Sequence, residues 1–272
     1  GPVFHHPSIP KRNEMKQTAL LLTLALMITQ CTQGDIGHTL PCQYTPPTGN
    51  DKHIKGARYQ SILEKYNKLG LPGISLLVRD KGGIYVASAG KADIEKNVDF
   101  RPCTVAKVAS ITKMFTGVMV HKLVEENQIN LDDKVDEWLH PVILEKVRNC
   151  RGATIRQLMN HTTGIYDIIS STAFYLSLLN NPDKKWTGEE LIKFAYSKAP
   201  KFELGKSCFY SNTNTLLLSM VISKVTGKNQ VQLLHEKILN PLSMYDTYYY
   251  SHESLPSITA QGYFDLYNKI YP

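Results

Sequence analysis

Hydrophobic positions recur along this chain with two different periods. Between Ala57 and Leu69 they return every three to four residues (Ile62, Leu63, Tyr66, Leu69), which predicts a helix stopped by Gly70 and Pro72. Gly73 to Val78 and Ile84 to Ala89 are short apolar runs on either side of Asp80-Lys81-Gly82-Gly83, the pattern of a β-hairpin. From Ser110 onward the helical period dominates. It predicts a helix from near Ser110 to about Glu126, broken by Asn127-Gln128-Ile129-Asn130, and a short helical segment from Leu131-Asp132-Asp133 through Trp138. A further helix begins in 154–160 with Thr154 as its cap, and His161-Thr162-Thr163-Gly164 reads as a turn. Residues 171–199 read as two helical pieces divided at Asn181-Pro182. Asn212 to Thr226 is a strongly apolar helix ended by Gly227, and Val231 to Leu239 is another, closed before Pro241. Helix therefore fills most of 100–240, and the hairpin is the one clear piece of sheet.

The first 56 positions follow neither period. Residues 1–14 fit no element and are set aside as a non-native or unassigned leader, with Gly1-Pro2 resembling a protease-cleavage scar. Met15-Lys16-Gln17 precedes a 12-residue apolar core, Thr18 to Thr29, shorter than the roughly 20 residues a permanent membrane helix needs. Residues 15–31 thus read as an export signal, which places the protein in the periplasm or cell envelope. Cys31 after Ile28-Thr29-Gln30 resembles a lipoprotein cleavage box, with Gln30 where a small residue is usual. A lipidated Cys31 anchored in the membrane, an ordinary cleaved signal, and a buried helix with a nearby free thiol all stay open. Residues 32–56, rich in Pro, Thr, Gly and Gln, read as a tether.

Composition narrows the class. The chain has 272 residues, 42% hydrophobic and 20% charged, enough to bury a real core and unlike a disordered segment. The formal charge of +7 is spread thinly, with no long basic block and no nucleic-acid motif, so it describes a basic surface and implies no nucleic-acid partner. With Cys31 set aside, Cys42, Cys103, Cys150 and Cys208 allow three disulfide pairings. No C-x-x-C spacing and no histidine ligand pattern are present, so neither metal nor cofactor is implied.

Two short stretches carry candidate chemistry. In Val108-Ala109-Ser110-Ile111-Thr112-Lys113 a serine and a lysine stand three residues apart at a helix start, which puts both on one face. A serine hydroxyl needs an adjacent base to act as a nucleophile, and an amine serves as one where burial or nearby positive charge lowers its pKa. Tyr210-Ser211-Asn212, at the head of the helix 212–226, pairs a phenol that can shuttle a proton with an amide that can orient a lysine or accept a substrate N–H. The plainer reading packs Tyr210 at the helix start and makes Asn212 its cap.

The two stretches belong to an ordered series. Ser110-Ile111-Thr112-Lys113, Asn130-Leu131-Asp132-Asp133, Leu158-Met159-Asn160-His161-Thr162-Thr163-Gly164-Ile165, Tyr210-Ser211-Asn212-Thr213-Asn214, Lys224-Val225-Thr226-Gly227 and Asn240-Pro241-Leu242-Ser243-Met244 follow one another. Over roughly 57–272 this series resembles the serine β-lactamase-like family of class C β-lactamases, D-alanyl-D-alanine carboxypeptidases and related esterases. The resemblance implies an α+β fold: an antiparallel sheet covered by helices, facing a mostly helical region across a cleft. It implies Ser110 as the acylated nucleophile and Lys113 as its proton acceptor. Tyr210 would be a second acid/base, Asn212 would hold Lys113 and the substrate amide, and the Ser110 N–H would supply half of an oxyanion hole. His161 and Gly164 fall in a family turn and read as structural.

The same resemblance leaves one element unmatched. The family's third motif, Lys-Thr-Gly or His-x-Gly on a strand lining the cleft, has no counterpart here; Thr162-Thr163-Gly164 and Val225-Thr226-Gly227 belong to other blocks. The expectation is a domain truncated at its C-terminus with an incomplete sheet, whose missing strands belong to a longer chain or to another one. The leading function is a serine hydrolase forming an acyl-enzyme on a peptidoglycan stem peptide, an ester or a β-lactam. The alternative is a non-catalytic envelope protein, a short descendant that keeps the cleft to bind peptidoglycan-like ligands.

Overall fold

The computed structural model describes residues 39–181, 184–250 and 252–263. The leader, the export signal with Cys31, and positions 32–38 of the expected tether lie outside the described residues. The chain divides into two compact units, residues 39–104 with Tyr263, and Val105–Gly262. The architecture is α+β, as the motif series implies.

The first unit contains α1 (Gly56–Lys68), β1 (Gly73–Asp80), β2 (Gly83–Asp93) and β3 (Val98–Asp99) in an antiparallel sheet of order β1-β2-β3. The hairpin closes through Lys81 and Gly82, with Asp80 opposite Gly83 and the Asp80 carboxylate accepting the Gly82 N–H at 2.7 Å. That backbone donor, followed by His53, holds the Asp80 carboxyl below its ordinary value. Alternation along β2 turns Tyr85 and Ala87 inward against Leu63 of α1. Gly90 has φ +80°, and a Cβ there would lie 2.2 Å from the Pro72 carbonyl, so only glycine fits beside the turn that enters β1.

Residues 39–55 depart from the tether expected there. Cys42 is disulfide-bonded to Cys103. The Asn50 amide pairs with both the N–H and the C=O of Val86. The His53 side chain is fully buried and bonded to Asp80 at 3.0 Å. A Pro- and Thr-rich composition describes the backbone's lack of regular structure, and these long-range bonds hold it nonetheless. Of the cysteine pairings that were open, only Cys42–Cys103 forms among the described residues: Cys150 is buried and Cys208 exposed, both as thiols.

The second unit is helical. Its frame is α2 (Thr112–Glu125), α3 (Pro141–Lys146), α4 (Ile155–Met159), α5 (Thr172–Asn180), α6 (Gly188–Ile192), α7 (Asn212–Thr226) and α8 (Gln230–Leu234), which runs on into a π-turn at His235–Leu239. Met119, Val120 and Leu123 of α2 pack with Ile155 and Leu158 of α4 and with Leu217, Leu218, Val221 and Ile222 of α7 in one core. The start of α4 is a reciprocal capping box: Thr154 Oγ1 accepts from Gln157 N, and Gln157 Oε1 accepts from Thr154 N. Gly227, at φ +65°, ends α7. The segment 131–138 is only a 3-10 turn at Val135–Glu137, and α3, which the hydrophobic period does not announce, begins where the His140 ring accepts the Val142 N–H.

Leu217 is fully buried at the centre of this core. Leu217→Ala is expected to lower stability by about 3 kcal/mol through lost transfer energy and a residual cavity. Urea unfolding should show a lower midpoint at an unchanged slope.

Candidate active site

Ser110 lies in a 3-10 turn, Ala109–Ile111, that leads directly into α2. The preceding residue, Ala109, has φ +45°, a left-handed conformation costing roughly 1–2 kcal/mol for a residue with a Cβ. Lys113 sits in the first turn of α2, and its Nζ donates to Ser110 Oγ at 3.2 Å. The spacing read from the sequence therefore does bring the two groups together.

The second motif converges on the same atoms from α7. Tyr210 OH is 2.7 Å from Ser110 Oγ, and the Asn212 amide oxygen accepts from Lys113 Nζ at 2.8 Å. Ser110, Lys113, Tyr210 and Asn212 thus form one connected cluster. Asn212 is not the helix cap of the plainer reading. It is the first residue of α7, and its N–H is taken up from outside by the Asp167 carboxylate at 3.0 Å.

Asp167 was not singled out by any motif, yet it decides how Asn212 points. It is buried, and besides the Asn212 N–H its oxygens accept both contacts from Asn212 Nδ2 at 3.2 Å and the Ile169 N–H at 3.3 Å. A carboxylate can only accept, so the NH₂ end of the amide must face Asp167 and the oxygen must face Lys113. The only sequence signal was an acidic residue following the His161–Ile165 turn, 45 residues before its partner.

The turn that reads as structural also places His161 against the cluster. The His161 ring lies 4.7 Å from that of Tyr210, while the Lys113 ammonium is 4.9 Å from the Tyr210 ring. Gly164 keeps the turn tight: its φ is +69°, and a Cβ would fall 2.4 Å from the Phe202 carbonyl. Burial, and after it the Lys113 charge, pull the His161 imidazole below its ordinary value, against an opposing pull from Asp167. For Tyr210, burial pushes the phenol up, but the Lys113 ammonium and the Ser110 hydroxyl outweigh it, and the net direction is below the ordinary tyrosine value. Phenol and amine thus both reach the serine oxygen by hydrogen bonds.

A Ser-x-x-Lys helix head bonded to a Tyr-x-Asn helix head, in an α+β fold, defines the serine β-lactamase-like class. The Beta-lactamase family profile matches residues 59–267, and the chain belongs to that family. It is 32% identical over 181 residues to Protein flp of Staphylococcus aureus (strain MW2), covering 65% of this chain and 34% of that protein. It is 27% identical over 210 residues to the teichoic acid D-alanine hydrolase of Staphylococcus aureus, covering 77% of this chain and 49% of that protein. Among solved structures, the D-stereospecific amidohydrolase from Streptomyces sp. superimposes with TM-score 0.61 at 34% identity, covering 69% of this chain and 54% of that one. The chain thus spans between about a third and a half of the length of these curated relatives.

Two measurements check this geometry. Alkaline titration of the phenol absorbance should show one tyrosine ionising below the ordinary value near 10.0. It should be missing from the Tyr210→Phe difference spectrum and move upward in Lys113→Ala. Asp167→Asn sets an NH₂ group against the Asn212 NH₂ and is expected to cost about 1–3 kcal/mol of stability, read by thermal unfolding.

Proposed function

We propose that this protein is an exported serine hydrolase that forms an acyl-enzyme at Ser110 on an amide or ester of a D-configured amino acid. The observation that carries the reading is the convergence of Lys113 Nζ and Tyr210 OH on Ser110 Oγ. The names of two relatives, a teichoic acid D-alanine hydrolase and a D-stereospecific amidohydrolase, support the D-acyl group.

In this reading Tyr210 acts as the phenolate that the neighbouring Lys113 ammonium favours, and Ser110 Oγ attacks the carbonyl carbon while its proton passes to the Tyr210 oxygen. The oxyanion forms beside the Ser110 N–H at the head of α2, where the helix dipole favours negative charge. Collapse of the tetrahedral intermediate breaks the bond to the amine or alcohol, which leaves with the proton returned by Tyr210. A water molecule gives its proton to the regenerated Tyr210 phenolate and attacks the Ser110 ester, and the proton returns to Ser110 Oγ as the ester bond breaks and the acid leaves. Asn212, held by Asp167, keeps Lys113 within reach of Ser110 through the cycle.

The Cys42–Cys103 disulfide supports export, since such bonds persist in oxidising compartments. Anchoring through a lipidated Cys31 is part of the same proposal.

Intact-protein mass spectrometry after incubation with a fluorophosphonate, and separately with a penicillin and a D-alanine thioester, tests the reading. Adduct mass is expected on the wild type and absent from Ser110→Ala, with Lys113→Ala slowing labelling by about 10²-fold or more. Folded wild-type protein that takes up none of the three reagents would overturn it and favour a protein that only binds such ligands.

A further inference from the structure

The turn 161–165 contains a hydrogen-bond chain whose direction is set at the His161 ring. The Ile165 N–H, which can only donate, points at Thr163 Oγ1 at 3.2 Å. The Thr163 hydroxyl then spends its own proton on Asn214 Oδ1, 2.7 Å away. Asn214 turns its NH₂ end to His161 Nδ1 at 3.0 Å, the orientation required because the backbone Ser211 N–H makes that nitrogen an acceptor. The Ser211 N–H approaches the same Nδ1 at 3.3 Å. Thr163, Ser211 and Asn214 are all fully buried. With two donors aimed at it, Nδ1 must carry a lone pair, so His161 is neutral with its proton on Nε2.

The ring so fixed is the one beside Tyr210, and the backbone joins in. The His161 carbonyl accepts the Phe209 N–H at 3.0 Å, and the Ser211 N–H on its ring is the next peptide after Tyr210. His161 therefore holds the chain on both sides of Tyr210 as well as lying against its ring. Its own backbone is in the left-handed region, φ +60°, a conformation a non-glycine residue keeps only when its surroundings impose it.

We propose that His161 is a positioning residue for Tyr210, and that its neutral Nε2–H form, locked by the Ile165–Thr163–Asn214 chain, is the state in which Tyr210 meets Ser110. This rests on the hydrolase reading above and adds a pH dependence to it. Protonation must occur at Nδ1, where it displaces both the Ser211 N–H and the Asn214 NH₂. The charged groups around the imidazole oppose one another: Lys113 of α2 disfavours the imidazolium, and Asp167 favours it. The phenol of Tyr210 is the third titratable group facing it. Burial adds to the Lys113 effect, so the neutral form persists below the pH at which a free histidine protonates. The positioning is thus present at and above neutral pH and is lost as pH falls through the lowered value.

The test is the pH profile of Ser110 labelling by the fluorophosphonate, in the wild type and two variants. His161→Asn tolerates positive φ and keeps an acceptor where Nδ1 stood, but it cannot titrate and has no ring. It is expected to lose the acidic limb and to label about tenfold more slowly on the plateau, with the reagent's half-saturation concentration unchanged. Thr163→Val removes the hydroxyl that directs Asn214, and should move the acidic limb of the profile to higher pH. An acidic limb at the same pH in all three proteins would overturn the proposal. NMR of the histidine ring nitrogens keeps it testable if wild-type Ser110 takes no label, an outcome that sinks the hydrolase reading alone. Nδ1 should be unprotonated at neutral pH, and the Tyr210 ring signals should shift with the His161 titration. A protonated Nδ1, or Tyr210 signals indifferent to that titration, would refute the positioning role by itself.

Discussion

The buried carboxylate of Asp167 is the group on which the candidate site depends. Burying an ionised carboxylate is costly unless donors replace its water. Here the donors are the Asn212 N–H, the Asn212 NH₂ and the Ile169 N–H. The exchange does two things at once. It satisfies an N–H at the head of α7 and sets a negative charge against the positive end of that helix. It also fixes the rotation of the Asn212 amide, and through the amide oxygen the position of Lys113. A helix start and a lysine position follow from one side chain, so neither can shift without the other.

Two residues with side chains adopt left-handed backbone beside the Ser110–Tyr210 contact. Ala109, at φ +45°, precedes Ser110, and His161, at φ +60°, adjoins Tyr210. Neither conformation is intrinsically favoured, and each is held by neighbours that form regular, well-packed structure. Met119, Val120 and Leu123 seat α2 in the core behind Ser110. Behind His161 stands the buried Thr163–Asn214 pair. The strain marks where the chain is bent to aim a side chain, and the packing behind it is what keeps the aim.

What could be read from the sequence was local. Ser110 and Lys113 share a helix face by spacing alone, and Thr154 and Gly227 mark helix ends by their residue types. The ordered motif series carried Tyr210 and Asn212 to the same cluster, a step that spacing could not make across a hundred residues. Asp167 stayed hidden because its role is a pairing with α7 from a distant loop, and no period or turn rule encodes such a pairing. Residues 39–55 were misread for a related reason. Their composition is that of a linker, while Cys42, Asn50 and His53 each bond to a residue far along the chain. The two-residue β3 and the six-residue α3 were too short for any periodicity to register.

The placement of an amide between Asp167 and Lys113 has its own electrostatic logic. A direct ion pair would be the stronger contact, but a carboxylate on Lys113 would favour the ammonium and draw it from Ser110. With Asn212 interposed, the carboxylate is saturated by N–H donors, and Lys113 meets a neutral oxygen instead of a charge. The ammonium keeps a donor for Ser110 Oγ and remains close to the Tyr210 phenol, whose proton it loosens. One positive charge and one negative charge are therefore both present, yet kept apart by a group that conducts orientation without neutralising either. In that arrangement the Tyr210 phenol is held below its ordinary value and lies within hydrogen-bond reach of Ser110 Oγ.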